Sequence, residues 1–193
     1  MTALPMRVKL AETPSEWAGA VAVRLAVFVD EQGVPLTAEM DEHDRSAVHA
    51  IALLTAPGAS PGARPSSKGG SVPPDGGVPP DVARTLSPAR QDAVSLAPVV
   101  GTGRLLRASG GVARIGRISV LPEWRGQGVG SRLLRLLEEA ALAWGARQIL
   151  LHAQLQVRDF YERRGYTARE PDRTFLEDNI PHLVMTRPLS PDM

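Results

Sequence analysis

The sequence predicts a mixed α/β fold in a single domain. Two observations carry that expectation. Segments of alternating apolar residues are interleaved with segments of helical spacing, which is the order of an α/β domain. The length of 193 residues and a hydrophobic share of 43 % suit one sizeable core. Cysteine is absent, which excludes a disulfide framework, a thiolate metal site and a cysteine nucleophile.

The elements follow in order. Met6, Val8 and Leu10 alternate with Arg7 and Lys9 and predict a strand. Thr13, Pro14 and Glu16 form a capping box with proline at the first helical position. Trp17, Val21, Leu25 and Phe28 then share one helical face, and EQGVP at 31–35 breaks that helix. The acidic stretch EMDEHDRSAVH at 39–49 leads into an apolar strand, HAIALL. Residues 56–98 are rich in proline and glycine, hold no aromatic residue, and cannot bury enough apolar surface to offset the entropy of ordering them. They read as a flexible insertion, with a lid or partner-binding segment as the alternative.

Two strands are expected at 99–108 and 113–121, joined by a turn at Gly110 and Gly111. In the second, Ile118 and Val120 share one face, and Ser119 and Leu121 the other. A long helix follows, with Val129, Leu133, Leu136, Leu137, Ala140 and Trp144 inward, Arg132, Arg135, Glu138 and Glu139 outward, and Gly145 as its stop. A buried strand at 147–153, a short helix at 156–164 ended by Gly165, and two closing strands in GYTARE and at 182–188 complete the chain.

A formal net charge of +1 draws neither nucleic acid nor an anionic membrane. The N-terminus has no long apolar run, so neither a signal peptide nor a membrane span is expected there, and the expected location is the cytoplasm. No His pair or calcium-type acidic loop indicates a metal.

The segment RGQGVGSRLL at 125–134 crowds Gly126, Gly128 and Gly130 against a helix start. Helix N-termini carry unsatisfied amides and partial positive charge, and glycines let backbone approach an anion. A nucleoside-triphosphate loop would need Lys before Ser or Thr after the last glycine, and Ser131-Arg132 stands there. A dinucleotide loop fails on the Val129-Gly130 spacing and on the absence of an acidic residue after the next strand, which ends in His152 and Ala153. A different pyrophosphate, or a plain tight turn, remains.

The wider segment ISVLPEWRGQGVGSRLL resembles the coenzyme A motif of the GNAT superfamily of N-acyltransferases, with Val120, Pro122, Arg125, Gly128 and Gly130 matching. FYERRGY at 160–166 resembles a second family segment, one helix and one strand downstream. VFVDEQGVP, EMDEHD with His49, and EDNIPHLVM at 177–185 resemble a bacterial subgroup with a VFVxEQxVP signature. The resemblance implies a mixed central sheet of about six to seven strands, splayed at its middle and flanked by helices.

It also implies roles. The pyrophosphate of acetyl-CoA, as co-substrate, would rest on Arg125, Gly126, Gln127, Gly128, Val129, Gly130 and Ser131. The pantetheine arm would run beside Ile118, Ser119 and Val120, with Gln154 where many relatives have asparagine. An amide near Val120 would stabilise the oxyanion. Tyr161 matches the general acid that protonates the departing thiolate; the plainer reading is a packed helix tyrosine. The strand before the glycine loop carries Arg114 and Arg117 and no acid, so the base lies elsewhere or a water chain serves. Glu31, as base or part of the acceptor site, and His152 are the first candidates, with Asp41, Asp44 and His49 behind them. The cluster of Glu39, Asp41 and Asp44 reads as a solvated loop that could attract a cationic acceptor.

The resemblance therefore implies an N-acetyltransferase acting by direct attack of a small-molecule primary amine on acetyl-CoA. The alternatives are a non-catalytic acyl-CoA-binding module and a protein N-acetyltransferase. Relatives are often dimers, so a homodimer is an expectation of the resemblance alone.

Overall fold

The computed structural model describes residues 6–55 and 98–190; the insertion expected at 56–98 lies, but for its last residue, outside the described residues. The described strands are β1 (Met6–Leu10), β2 (Val48–Leu54), β3 (Val99–Arg107), β4 (Val112–Val120), β5 (Gln148–Gln154), β6 (Thr167–Ala168), β7 (Phe175–Glu177) and β8 (Ile180–Pro188). All eight join one mixed sheet in the order β1-β2-β3-β4-β5-β8-β6, with β7 also on β8. The expectation of six to seven strands missed β7, whose three residues form a hairpin with β8. Asp178 and Asn179 turn that hairpin with positive φ of 52° and 62°, a backbone that Asp and Asn tolerate better than other residues.

β4 and β5 are parallel, and their pairing covers only residues 112–114 against 148–150. Beyond Arg114 the two strands separate, so the sheet is splayed at its middle. A bulge accompanies the separation. Gly103 of β3 faces both Arg117 and Ile118, because Arg104 pairs with Gly116 and Thr102 with Ser119. Arg117 takes a left-handed φ of 53° there. A side chain on Gly103 would press on Leu137 at 2.9 Å and Ile118 at 3.1 Å, so glycine lets the bulged strand and the helix behind it come this close without either side chain giving way.

That helix is α3 (Val129–Ala143), ended by Gly145 at φ 78°. It buries Val129, Leu133, Leu134, Leu137 and Ala141 against β3 and β4. The expected inward face is corrected by about one position: Leu134 and Ala141 are buried, and Glu138, expected outside, is only 7 % exposed. Glu138 accepts hydrogen bonds from Tyr166 Oη at 2.7 Å and Arg187 Nη1 at 2.9 Å. A charged residue inside a helix seam is tolerable when both its oxygens are paired.

On the other face, α1 (Pro14–Arg24) begins at the expected capping box. Its buried face is also corrected. Trp17 is exposed, and Ala20, Val23 and Arg24 turn inward. Gly19 fits tightly over Val99, which sets the helix rotation. The chain continues as a π-helical stretch, Leu25–Glu31. Wider turns of this kind re-aim the residues within them relative to a regular α-helix, here Phe28 and Glu31. A short α2 (Leu36–Glu39) comes next, and α4 (Arg158–Glu162) follows β5. No helix of the described residues is long and apolar enough to cross a membrane.

Candidate functional site

The splay between β4 and β5 opens into a cavity of about 360 Å³. Ile118, Ser119 and Val120 line it from β4, and His152 and Gln154 from β5. Glu31, Arg125 and Tyr161 also face it. The structure thus gathers eight residues expected at the site from five separate stretches of sequence. Gly126, Gln127, Gly128, Val129 and Gly130 do not line the cavity; they form the turn and the first residues of α3 just beyond Arg125. Ser131 lies there too, accepting a short hydrogen bond from Arg164.

The turn is built from backbone. Gly126 and Gly128 take φ of 72° and 79°, and nothing lies within 4 Å of where a Cβ would stand. Gly128 caps α3 without any side-chain hydrogen bond, so the first-turn amides keep their donors. Gln127 donates to Glu123 O at 2.9 Å, bracing the turn. Val129 is a core residue, 2 % exposed, and offers only its backbone.

Arg125 is fixed on both sides. Its Nε donates to Val120 O at 2.9 Å, and its two terminal nitrogens grip Glu31 at 2.8 and 2.6 Å. The hydrogen bond from Arg125 holds the Glu31 carboxyl below the usual carboxylate range. A carboxylate held so firmly is a poor proton acceptor and a good tether between the π-helical stretch and β4.

Tyr161 is buried in edge-on contact with Phe160 and Tyr166. Burial pushes its phenol up to about 12. No hydrogen-bond partner for its hydroxyl is found among the described residues. Ser119 Oγ is likewise buried and unpartnered. Two polar groups without partners on one slot are a place for an incoming ligand to satisfy.

The acidic stretch at 39–44 is corrected most. It is not a solvated loop: Glu39 is 0 % and Asp44 6 % exposed. Arg24, itself buried, donates to Glu39 at 2.5 Å and to Asp44 at 2.6 Å. Arg104 bridges Asp41 at 2.7 Å and Asp44 at 2.9 Å. Arg117 stands 3.1 Å from Glu39 and donates to Ala38 O at 2.8 Å. Burial opposes ionisation of Asp44, but the hydrogen bonds from Arg24 and Arg104 outweigh it and hold the carboxyl far down. Asp41, against the same opposition, is held down by Arg104. Burial instead wins at Glu39 and raises it. His49 Nε2 lies 3.2 Å from Asp44 O, and burial lowers its pKa. The network ties α1 and α2 to the left-handed Arg117, and so holds the bulge where β4 leaves β5.

At the far end of the slot, His152 Nδ1 lies 2.7 Å from Glu177 Oε2. Arg114 Nη2 is 3.0 Å from the same nitrogen. A carboxylate only accepts, so the proton is assigned to the Nδ1–Glu177 bond, with Arg114 a neighbouring positive charge. Glu177 was not expected from the sequence; its signal lay in the EDNIP turn, which sets a short hairpin. Gln154 joins Gln32 at 2.8 Å and Gln156 at 2.9 Å, across the slot mouth. Among the described residues no cluster of three or more His, Asp or Glu is arranged to hold a metal.

Comparison with known proteins bears on the family and the fold. The sequence model of the acetyltransferase (GNAT) domain matches residues 91–189. The uncharacterized N-acetyltransferase YjcF of Bacillus subtilis (strain 168) is 30 % identical over 94 % of this chain and 99 % of its own. The structure of an acyl-CoA N-acyltransferase from Pseudomonas aeruginosa is 26 % identical, covers 95 % of this chain and 99 % of its own, and superposes with a TM-score of 0.62. Escherichia coli ElaA, 20 % identical over 94 % of this chain and 99 % of its own, shares the fold with a TM-score of 0.64.

Proposed function

The chain belongs to the GNAT acetyltransferase family, and from that premise we propose that it transfers acetyl from acetyl-CoA to a primary amine of a small molecule, by direct attack. The observation that carries this reading is the slot between β4 and β5, with Tyr161 on its wall and the uncapped start of α3 just beyond.

The residues present fit the co-substrate. β4 beyond Arg114 has no strand partner on its β5 side, so the backbone of Ile118, Ser119 and Val120 can pair with an extended amide-bearing arm. Ser119 Oγ offers a further, unused polar atom. The open glycine turn from Arg125 to Ser131 can take a pyrophosphate on its amides. Arg125 is committed to Glu31 and Val120 O, so its part is to hold the turn against β4. Gln154 stands where it can reach the arm from β5.

Acetyl-CoA supplies an activated acyl group and a thiolate leaving group. Tyr161 supplies the proton that the sulfur takes. Its burial keeps the phenol protonated across the neutral range, and the same dry surroundings make a bare thiolate costly, so the proton moves toward the sulfur as the bond breaks. With no cysteine in the chain, no acyl-enzyme can form on a thiol, which favours direct transfer.

Thiol release from acetyl-CoA with a panel of small primary amines tests the reading. Amine-dependent release, with the acetylated amine seen by mass spectrometry, is the expected result. Tight binding of CoA without release for every amine would make the chain a binding module instead, and acetylation confined to protein lysines or N-termini would move the acceptor to polypeptides.

A further inference from the structure

Attack requires a neutral amine, and most carboxylates near the slot are already engaged. Glu31 is gripped by Arg125. Asp41 and Asp44 are gripped by Arg104, and Asp44 also by Arg24. Glu39 is enclosed between Arg24 and Arg117. His49 is buried against Asp44 O. His152 differs from all of these. It lies on β5 just past the point where β4 leaves, it lines the slot, and it is partly exposed there.

The ring of His152 is also held. Glu177 takes Nδ1 at 2.7 Å, and Phe175 meets the ring edge-on with centroids 4.9 Å apart. Both belong to β7, the three-residue strand folded back on β8. A hydrogen bond to a carboxylate at Nδ1 fixes the tautomer and leaves Nε2 as the ring's acceptor. From this geometry we infer that His152 is the proton acceptor for the amine and that Glu177 is its positioning residue, brought to the slot by the β7–β8 hairpin. The inference rests on the acyl-transfer reading of the slot.

The step balances as follows. The amine nitrogen forms a bond to the thioester carbonyl carbon and gives one proton to His152 Nε2. The carbon–sulfur bond breaks with its electron pair on sulfur, and the Tyr161 proton ends there. The products are an amide and the free thiol of CoA. The His152 proton and the Tyr161 vacancy are exchanged with solvent.

The charged and titratable groups facing His152 come from three elements. They are Arg114 on β4, Glu177 and Asp178 on β7 and its turn, and His182 on β8. The hydrogen bond from His152 holds the Glu177 carboxyl down to about 2, against the opposing effect of burial, so Glu177 is a carboxylate at every working pH.

The test compares His152→Ala, His152→Gln, Glu177→Gln and the His152→Gln/Glu177→Gln pair, using acetyl-CoA and the best amine of the panel. Acetyl-CoA affinity by calorimetry should stay within about twofold of the parent in all four. Loss of a general base lowers turnover by about 10²–10⁴, and both His152 variants should lose that much. Glu177→Gln should lose less, and nothing further when His152 is already Gln, because it acts through His152. Added imidazole should restore turnover to His152→Ala and not to Glu177→Gln. His152→Gln turning over within threefold of the parent, or additive losses in the pair, would overturn the inference. Absence of amine-dependent release in the parent would instead fail the acyl-transfer reading itself.

Discussion

Tyr161→Phe separates chemistry from folding more cleanly than any other change at the slot. The ring is buried and wedged edge-on between Phe160 at 4.9 Å and Tyr166 at 5.7 Å between centroids, and phenylalanine keeps both contacts. The lost hydroxyl has no hydrogen-bond partner among the described residues, so unfolding free energy should change by no more than about 0.5 kcal/mol. Turnover should fall by about 10²–10⁴, the worth of a positioned acid, which is about 2.7–5.4 kcal/mol in the barrier. Affinity for acetyl-CoA should hold within about twofold. A chromogenic thiol reagent suits the assay, because the chain has no cysteine and every thiol detected is that of CoA. The pH profile gives a second reading. A phenol pushed up to about 12 keeps its proton until the pH rises toward that value, so Tyr161 should impose no alkaline fall in turnover below about pH 10. Turnover of Tyr161→Phe within threefold of the parent would remove Tyr161 from the acid role. A large rise in the acetyl-CoA dissociation constant with unchanged turnover would reassign it to binding.

Other outcomes follow from the same geometry. Arg24→Met leaves the enclosed Glu39 to Arg117 alone and Asp44 to Arg104 alone, a loss worth up to about 5 kcal/mol; calorimetry should show Tm lower by several degrees and by up to about 20 °C, and a drop under 3 °C would contradict the network's role. Gly128→Val puts a branched side chain at φ 79°, a strain of about 1–2 kcal/mol, and should weaken acetyl-CoA binding at least tenfold. Gly145→Val, at φ 78° beyond the other end of α3, is its control, with similar lost stability and unchanged affinity. Equal affinities in the two variants would detach the glycine turn from the ligand. Glu177 titrates at about 2 when folded, below its ordinary 4.5. A depressed carboxyl stabilises the fold above its unfolded pKa and loses that contribution as pH falls through the folded value. Between pH 5 and pH 2 the parent should therefore lose more Tm than Glu177→Gln, and parallel curves would refute the pairing with His152.

Local signals carried most of the fold. The Thr13–Glu16 capping box, the glycines at 110 and 111 and the stop at Gly145 all stand where sequence places them, because each acts through its own few residues. What escaped depends on partners far along the chain. The inward turn of Arg24 is set by Glu39 and Asp44, 15 and 20 residues away, and no helical periodicity would bury an arginine. Glu138 is inside because Tyr166 and Arg187 meet it there. Trp17 was the largest apolar residue on α1 and yet lies outside, since the tight seat of Gly19 on Val99 fixes the rotation. For the site, the open glycine turn at the start of α3 was legible from its spacing, and the place of Tyr161 on the cavity wall from its resemblance to a family segment. Glu177 was not, since β7 is only three residues long and shows no period of its own.

Unpaired strand edges usually lie at the rim of a sheet, where they invite another polypeptide to add on. Here an unpaired edge of β4 lies in the middle of the sheet, closed at one end by its short pairing with β5. A second strand carries side chains on both faces and needs room for them. A thin, amide-bearing chain without such side chains does not. On the acyl-transfer reading, the splay would therefore favour a slender guest: the backbone of β4 beyond Arg114 has no strand neighbour on its β5 side, and a cofactor arm would need less room there than a second strand.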